Sequence, residues 1–380
     1  MEFKTLSELC DIVSGGTPSR SRMEFWNNGD IPWIKIGNLN GKYVEKADEY
    51  ITKVGLENSA AKVLPKGTIL YTMFATLGET AILSIDACTN QAIAGICIKD
   101  NLQVSTDYIY YFLKSKKKFV NNIGRGVAQN NINMSILKAF KVPLPEYSVQ
   151  SEIVDILDKT VNIINMRQAE LEKLDRLVKA RFVEIFEAIK ETCNVDYYIK
   201  ELIAGKSLAS EVECKNKVLK TGAVSFDYFD ESQIKNLPLN YEPKEEHLVH
   251  KGDIIISRMN TAELTGAAAY VWKVSDNVYV PDRLWKAVIR DGVNAIFLWN
   301  MLIQPSTKEQ IQKVCSGTSG SMKNISKSGM LGIRVKKVDV YLQNKFATFV
   351  EEVNKSKVEV KKALDEAQLL FDSLMQKYFG

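Results

Sequence analysis

Between Glu152 and Phe186 one set of positions recurs in alternating steps of four and three: Ile153, Leu157, Thr160, Ile164, Arg167, Leu171, Leu174, Val178, Arg181 and Ile185. Two mostly apolar positions per heptad are the seam of a coiled coil. Moving 193 residues on gives Phe346, Val350, Val353, Lys357, Val360, Leu364, Ala367, Phe371, Leu374 and Tyr378, again an apolar stripe. Two long helices in one register predict a duplicated chain. Each covers roughly 35 residues and, at about 1.5 Å per residue, spans on the order of 50 Å. Stripes this long need a partner, and each is the nearest candidate for the other. The order is globule, helix, globule, helix. A second helix that returns along the first makes the pair antiparallel and holds the globules at opposite ends.

Within the first globule the pattern changes to short apolar runs. Leu6, Leu9, Ile12 and Val13 have helical spacing and lead into the loop Ser14-Gly15-Gly16-Thr17-Pro18-Ser19-Arg20-Ser21-Arg22. Ile31 to Asn38 reads as a strand ending at Gly37, and Lys66-Gly67 as a turn feeding a strand through Tyr71. Ala81–Leu83 and Ala92–Ile98 supply further strands. Tyr108–Leu113 starts a helix that ends in the lysine run Lys114-Ser115-Lys116-Lys117-Lys118, a solvated end or a phosphate-tracking patch. The amide-rich glycine turn Gly124 to Ile132 follows, and Pro143-Leu144-Pro145 closes the globule.

The second globule repeats this order. Glu201 to Ser207 corresponds to the stretch from Glu8 into the first glycine loop, and Val218 to Gly222 stands where the Ile34 strand stood. Lys251-Gly252 matches Lys66-Gly67, and Ser316 to Ile325 matches the amide-rich turn. The offset grows by about eight residues between these two matches, so the scaffold is shared while the loops diverge. The fold class expected is α+β, with a pseudo-two-fold internal repeat.

Composition adds little to this. A net charge of +4 permits a local basic face without demanding nucleic acid. The cysteines are scattered, with no Cys-x-x-Cys, which suits a reducing cytoplasm. The start Met1-Glu2-Phe3-Lys4 lacks the apolar run of a signal peptide, and no stretch is long and apolar enough for a membrane span. A cytoplasmic protein away from membranes is expected.

Catalytic constellations are missing from the sequence. Gly205-Lys206-Ser207 matches the end of a phosphate-binding loop, but Lys200 stands where its first glycine is needed. His247 and His250 share a hydrophilic loop with no cysteine nearby, so no metal site is expected. No Gly-x-Ser-x-Gly elbow occurs. Asn236-Leu237-Pro238-Leu239 lacks the first proline and the aromatic of an adenine methyltransferase motif. Pro281-Asp282 with Lys286 is too poor in acids for a divalent-metal nuclease.

With these residues in view, the chain resembles the specificity subunits of Type I restriction-modification enzymes over essentially its whole length. The likeness is carried by the duplicated plan, the loop Ser14-Gly15-Gly16-Thr17-Pro18-Ser19 and the segment Trp33-Ile34-Lys35-Ile36-Gly37-Asn38. Gln129-Asn130-Asn131-Ile132 and the exit Val142-Pro143-Leu144-Pro145, running to Gln150 and Ile153, belong to it too. Two departures concern the helix starts. Val149-Gln150 stands where the family commonly has Glu-Gln, and the second exit is Val335-Lys336-Lys337-Val338, although Gln343 remains.

The resemblance implies a non-catalytic protein with target-recognition domains at 1–147 and 191–340 and spacer helices at 148–190 and 341–380. Each domain would read one half of a bipartite double-stranded DNA target, with the helices setting the gap. Two methyltransferase subunits using S-adenosylmethionine and two translocase-nuclease subunits using ATP and Mg would be the partners, leaving this chain without a cofactor. Base-reading chemistry then nominates Thr17, Ser19, Arg20, Arg22, Thr72, Arg125, Gln129 and Asn130 in the first globule. In the second it nominates Lys206, Ser207, Arg258, Asn260, Arg283, Ser319 and Lys323. The expected helix-pair seam is Ile153, Leu157, Ile164, Leu171, Leu174 and Val178 with Val350, Val353, Val360, Leu364, Phe371 and Leu374.

The outward helix faces, with Asp155, Asp158, Glu170, Lys173, Glu352, Glu359, Lys361 and Asp365, would dock the methyltransferases. The non-seam apolar residues Val154, Ile163, Phe182, Phe349, Leu370 and Phe379 would widen that surface. A self-contained enzyme on nucleic acid and a non-enzymatic spacer scaffold presenting two protein-binding globules are the rival readings.

Overall fold

The computed structural model describes residues 2–124, 132–317 and 322–380. The chain forms two compact units, one of residues 1–169 with 361–380 and one of residues 170–360.

In the first unit the strands are β1 (Glu2–Thr5), β2 (Cys10–Ser14), β3 (Ile31–Ile34), β4 (Tyr43–Val44), β5 (Glu49–Ile51), β6 (Ile69–Thr72), β7 (Thr80–Leu83), β8 (Cys88–Thr89), β9 (Ile93–Ile98) and β10 (Lys141–Leu144). They form a five-stranded sheet ordered β2-β9-β6-β7-β4, a three-stranded sheet β5-β3-β8 and the pair β1-β10. Its shorter helices are α1 (Leu6–Leu9), α2 (Lys53–Glu57), α3 (Thr106–Ser115), α4 (Lys117–Gly124) and α5 (Met134–Lys138), and α6 (Tyr147–Phe186) follows.

The second unit repeats the plan. Its strands are β11 (Thr192–Asn194), β12 (Ile199–Ile203), β13 (Lys217–Leu219), β14 (Ile234–Asn236), β15 (Ile254–Ser257), β16 (Met259–Asn260), β17 (Ala268–Tyr270), β18 (Val278–Tyr279), β19 (Leu284–Ile289), β20 (Lys323–Asn324) and β21 (Arg334–Lys336). The sheets are ordered β12-β19-β15-β17, β14-β13-β18 and β11-β21, each the counterpart of one in the first unit. Among the described residues the differences are β4, found in the first unit, and the pair β16-β20, found in the second. Helices α7 (Ala295–Leu302), α8 (Pro305–Val314) and α9 (Lys327–Leu331) match α3, α4 and α5, and α10 (Val340–Phe379) matches α6. The turn glycines before β6 and β15 both need a left-handed backbone, Gly67 at φ +88° and Gly252 at φ +99°.

Each long helix has 40 residues, and both ends of α10 lie 193 positions after those of α6. They are longer than the heptad stripe alone predicts because each gains a turn at its start. Every predicted stripe position is buried or half-buried. In the second unit Phe186 and Phe182 pack on Phe346, Arg181 lies over Phe349, and Lys357 pairs with Asp175. Partner numbers rise on one helix as they fall on the other, so the pair is antiparallel. In the first unit Ile153, Val154 and Leu157 of α6 share one core with Phe371, Met375 and Phe379 of α10 and with Leu6, Tyr108 and Phe112.

Both helix starts are fixed by the same device. Gln150, 1% exposed, accepts the Ser105 backbone N–H at 2.9 Å and donates to the Pro145 carbonyl at 2.9 Å. Gln343, 3% exposed, accepts from Asn294 N–H at 3.0 Å and donates to Val338 at 2.9 Å.

Several expectations are corrected. The helical spacing of Leu6 and Leu9 stops at Leu9, and Ile12 and Val13 lie on β2, paired along its whole length with β9. The β3 strand ends at Ile34, because the Asn38 side chain accepts the Lys35 N–H and turns Ile36–Asn38 into a 3₁₀ turn. The lysine run does not end one helix but straddles the break between α3 and α4. Val142-Pro143-Leu144 is a strand, β10, rather than a mere stop.

The docking surface also contracts. Val154, Phe182 and Phe379 are buried and Phe349 is half-buried, all in the globule cores, because those globules cover that side of the helices. Asp158 faces its own globule, accepting Lys42 at 2.7 Å and the Tyr111 hydroxyl. Ile163 and Leu370 remain exposed.

Candidate nucleic-acid interface

The loop after β2 is held by close packing. A Cβ on Gly15 would lie 2.2 Å from the Asn90 carbonyl oxygen, and one on Gly16 would lie 2.3 Å from the Ala60 carbonyl carbon. Trp33 donates from its indole to the Gly16 carbonyl at 2.9 Å, and Trp26 to the Ser19 carbonyl at 3.1 Å. These glycines therefore serve close approach rather than flexibility. Their counterpart is Gly205, whose Cβ would lie 2.1 Å from the Val280 carbonyl.

On this frame the Thr17 hydroxyl donates to Gln91, and 190 residues on the Ser207 hydroxyl donates to Asp282. Ser19 and Ser21 share a hydroxyl contact of 2.9 Å. Arg20 lays its guanidinium 3.7 Å from the Trp26 ring and 4.9 Å from Trp33 while pairing with Glu49. Glu49 also takes Lys35 at 2.7 Å, and these two cations, Lys35 foremost, hold its carboxyl below the usual range. Arg22 pairs with Glu24 at 2.6 Å and covers the Phe25 ring at 4.7 Å. Both arginines are thus orientated by neighbours, and both remain open to solvent on one side.

Thr72 is placed differently. It is fully buried, donates to the Thr76 carbonyl and accepts the Glu79 N–H at 2.9 Å, so its hydroxyl shapes the β6–β7 turn. Arg125, Gln129, Asn130 and Ser319 lie outside the described residues.

In the second unit the remaining candidates converge. Asp282, which holds Ser207, adjoins Arg283, and the Arg283 carbonyl accepts the Arg258 N–H at 3.0 Å. The Arg258 carbonyl accepts the Ile325 N–H at 3.1 Å, as the Met73 carbonyl accepts Ile132 N–H at 3.1 Å in the first unit. Asn260 sits directly opposite Lys323 across β16 and β20. Lys206 lies 5.8 Å from the Tyr241 ring, and Arg258 5.8 Å from Trp285. Hydroxyl, amide, guanidinium and ammonium groups therefore line one edge, the donor set that suits base edges and phosphates.

Sequence reasoning missed Gln91, Trp26 and Glu49 as organisers of the first loop. Gln91 and Asp282 were findable, since they stand at almost the same repeat offset as Thr17 and Ser207. His247 is 8% exposed and packs its ring against Gly205, and this desolvation lowers its pKa. Among the described residues no group of three His, Cys, Asp or Glu side chains could hold a metal ion. None of the described helices is long and apolar enough to cross a membrane.

The sequence profile of the Type I restriction modification DNA specificity domain matches residues 1–176. Residues 1–176 are similar to that domain. The matched stretch takes in the first globule and α6 as far as Arg176, the same globule-plus-helix unit that the second half repeats. The Escherichia coli EcoR124I/EcoR124II specificity subunit is 30% identical over 171 residues, 43% of this chain and 42% of that one. The MjaIX specificity subunit of Methanocaldococcus jannaschii is 29% identical over 190 residues, 49% of this chain and 43% of its own. The chain thus matches less than half the length of these curated relatives. The EcoKI specificity subunit of Escherichia coli K12 aligns further, 20% identical over 83% of this chain and 74% of that one.

Among solved structures, the S subunit of a Type I system from M. genitalium superposes with a TM-score of 0.55 at 17% identity, covering 100% of this chain and 96% of that one. A chain from a structural study of complex assembly and conformational transition of the type I R-M system gives 0.60 at 14% identity, covering 100% and 97%. At such identities the shared property is the fold: two similar α+β globules with a pair of long helices.

Proposed function

We propose that the chain is the sequence-specific DNA-binding subunit of a Type I restriction-modification complex. Residues 1–147 and 191–340 act as target-recognition domains, each reading one half of a bipartite double-stranded target. The α6–α10 pair sets the gap between the halves. The single observation that carries this reading is the repeated edge: Thr17 with Gln91 and Ser207 with Asp282, on equivalent loops beside equivalent strands. Two frames that match in scaffold and differ in side chains suit two readers of different bases.

In this reading the chain performs no catalysis. It presents DNA to two methyltransferase subunits, which modify adenine with S-adenosylmethionine, and to two translocase-nuclease subunits, which use ATP and Mg, all in the cytoplasm. The helix faces left open around Ile163 and Leu370 serve the methyltransferases. Phosphate contacts supply affinity and fall with salt, whereas base contacts supply the sequence.

Single-molecule methylome sequencing of a host carrying this subunit with its methyltransferase tests the proposal. A modified bipartite motif with a fixed gap is expected. A continuous motif, or no sequence-specific methylation, overturns it.

A further inference from the structure

The first unit carries a groove remote from the reading edge. It runs along the last turns of α10, where Gln368, Phe371, Asp372, Met375, Gln376 and Phe379 form one wall. These positions share one helical face and span roughly 17 Å at about 1.5 Å per residue. The opposite wall is the α3–α4 junction with its lysine run, and Phe140 and Lys141 close the side, enclosing about 770 Å³.

The charges of this groove are unevenly satisfied. Lys116 donates to the Phe379 carbonyl at 2.7 Å, and Lys117 pairs with Glu79 at 2.6 Å. Lys114 bonds the Tyr110 hydroxyl at 3.3 Å and lies 6.0 Å from the Phe371 ring. Lys118 and Lys141 have no acidic partner among the described residues, and both are exposed. Beside them Phe119 is 52% exposed, its ring 6.3 Å from Phe140. An exposed aromatic flanked by two unpaired cations offers a partner both apolar area to cover and charge to pair.

The repeat sharpens the argument. At the corresponding α7–α8 junction the residues are Ile303, Gln304, Pro305, Ser306 and Thr307, and the next lysine, Lys308, is committed to Asp227 at 2.6 Å. The scaffold does not require the lysine run, since its twin folds without it. A partner serving both halves alike would need the feature twice.

We propose that this groove binds one acidic amphipathic helix of a partner protein per chain. Its apolar anchors would pack over Phe119, Phe371 and Met375, and its carboxylates would meet Lys118 and Lys141. A channel that follows a helix face matches a second helix in width and length. A duplex backbone would find no use for the aromatic floor and would be repelled by Asp372.

The test uses the full chain and a labelled synthetic helix of roughly 14 residues, with Leu and Phe at i, i+3, i+4 and i+7 and Glu elsewhere. Fluorescence anisotropy should show binding at one helix per chain, with no binding of the same helix carrying Lys for Glu. The double reversal K118E with K141E should weaken it by about tenfold or more, and F119A should weaken it by about tenfold. Thermal unfolding of the exposed double variant should match that of the parent. Failure of the acidic helix to bind, two helices per chain, or indifference to both variants overturns the proposal. So does a loss of duplex DNA affinity in the double variant while helix affinity is kept, which would assign the lysines to nucleic acid.

Discussion

Gln150 and Gln343 show how much a single buried side chain settles here. Each amide joins the cap of a short helix to the chain just before a long one. Replacing Gln343 by alanine strands the Asn294 N–H and the Val338 carbonyl in a dry setting, at about 1–3 kcal/mol for an unsatisfied group. Urea unfolding of Q343A should show a loss of that size, and Q150A a comparable one. Thr72 and Asn260 separate structure from reading. Thr72→Val removes the acceptor of the Glu79 N–H and should cost about 1–3 kcal/mol of stability without changing any base of the target. Asn260→Ala should do the reverse, relaxing one base position by about 1–3 kcal/mol in competition binding. Relaxed sequence choice in T72V, or none in N260A, contradicts the placement of these residues.

At the scale of elements, the loop after β2 is an acid-sensitive joint. Lys35 and Arg20 depress the Glu49 pKa, so this carboxylate binds its proton less readily folded than unfolded. Its stabilising contribution is complete above the ordinary carboxylate range and disappears as pH falls through the depressed value. As pH falls below the ordinary carboxylate range the parent should therefore lose stability more steeply than E49Q, and equal slopes in denaturant titrations there would remove Glu49 from the account.

The elements also mark where the sequence was legible. The heptad stripe located α6 and α10 because burial on a long helix obeys one period, and Lys66-Gly67 located β6 because its turn needs a left-handed residue. Ile12 and Val13 misled, since four residues cannot distinguish the start of a helix from strand alternation when β9 lies distant in sequence. The candidate edge was half legible. Residue chemistry nominated Ser207, Arg258 and Lys323, but only tertiary pairing brings them together, and only burial removes Thr72. Val154 and Phe379 looked like spare apolar surface because sequence spacing carries no record of which globule lies over a helix.

For the whole molecule, the proposed function makes the helix pair of the duplicated plan a tunable part. Near Leu171 the antiparallel register seen between Arg181 and Phe349 brings α10 alongside at about Glu359. Four residues added near Leu171 lengthen α6 by roughly 6 Å, close to two base-pair steps of about 3.4 Å. Four residues also complete little more than one turn, so the apolar stripe nearly keeps its facing. A matching insertion near Glu359 should preserve the seam, whereas an insertion in α6 alone sets Leu174 and Val178 out of step with Val350 and Val353. The paired insertion should therefore give a methylated motif with a longer gap and both half-sites unchanged, and it should retain more stability than the single insertion. Altered half-site bases with an unchanged gap in the methylome would show that the helices do not measure the distance, and the reading edges would then have to do so.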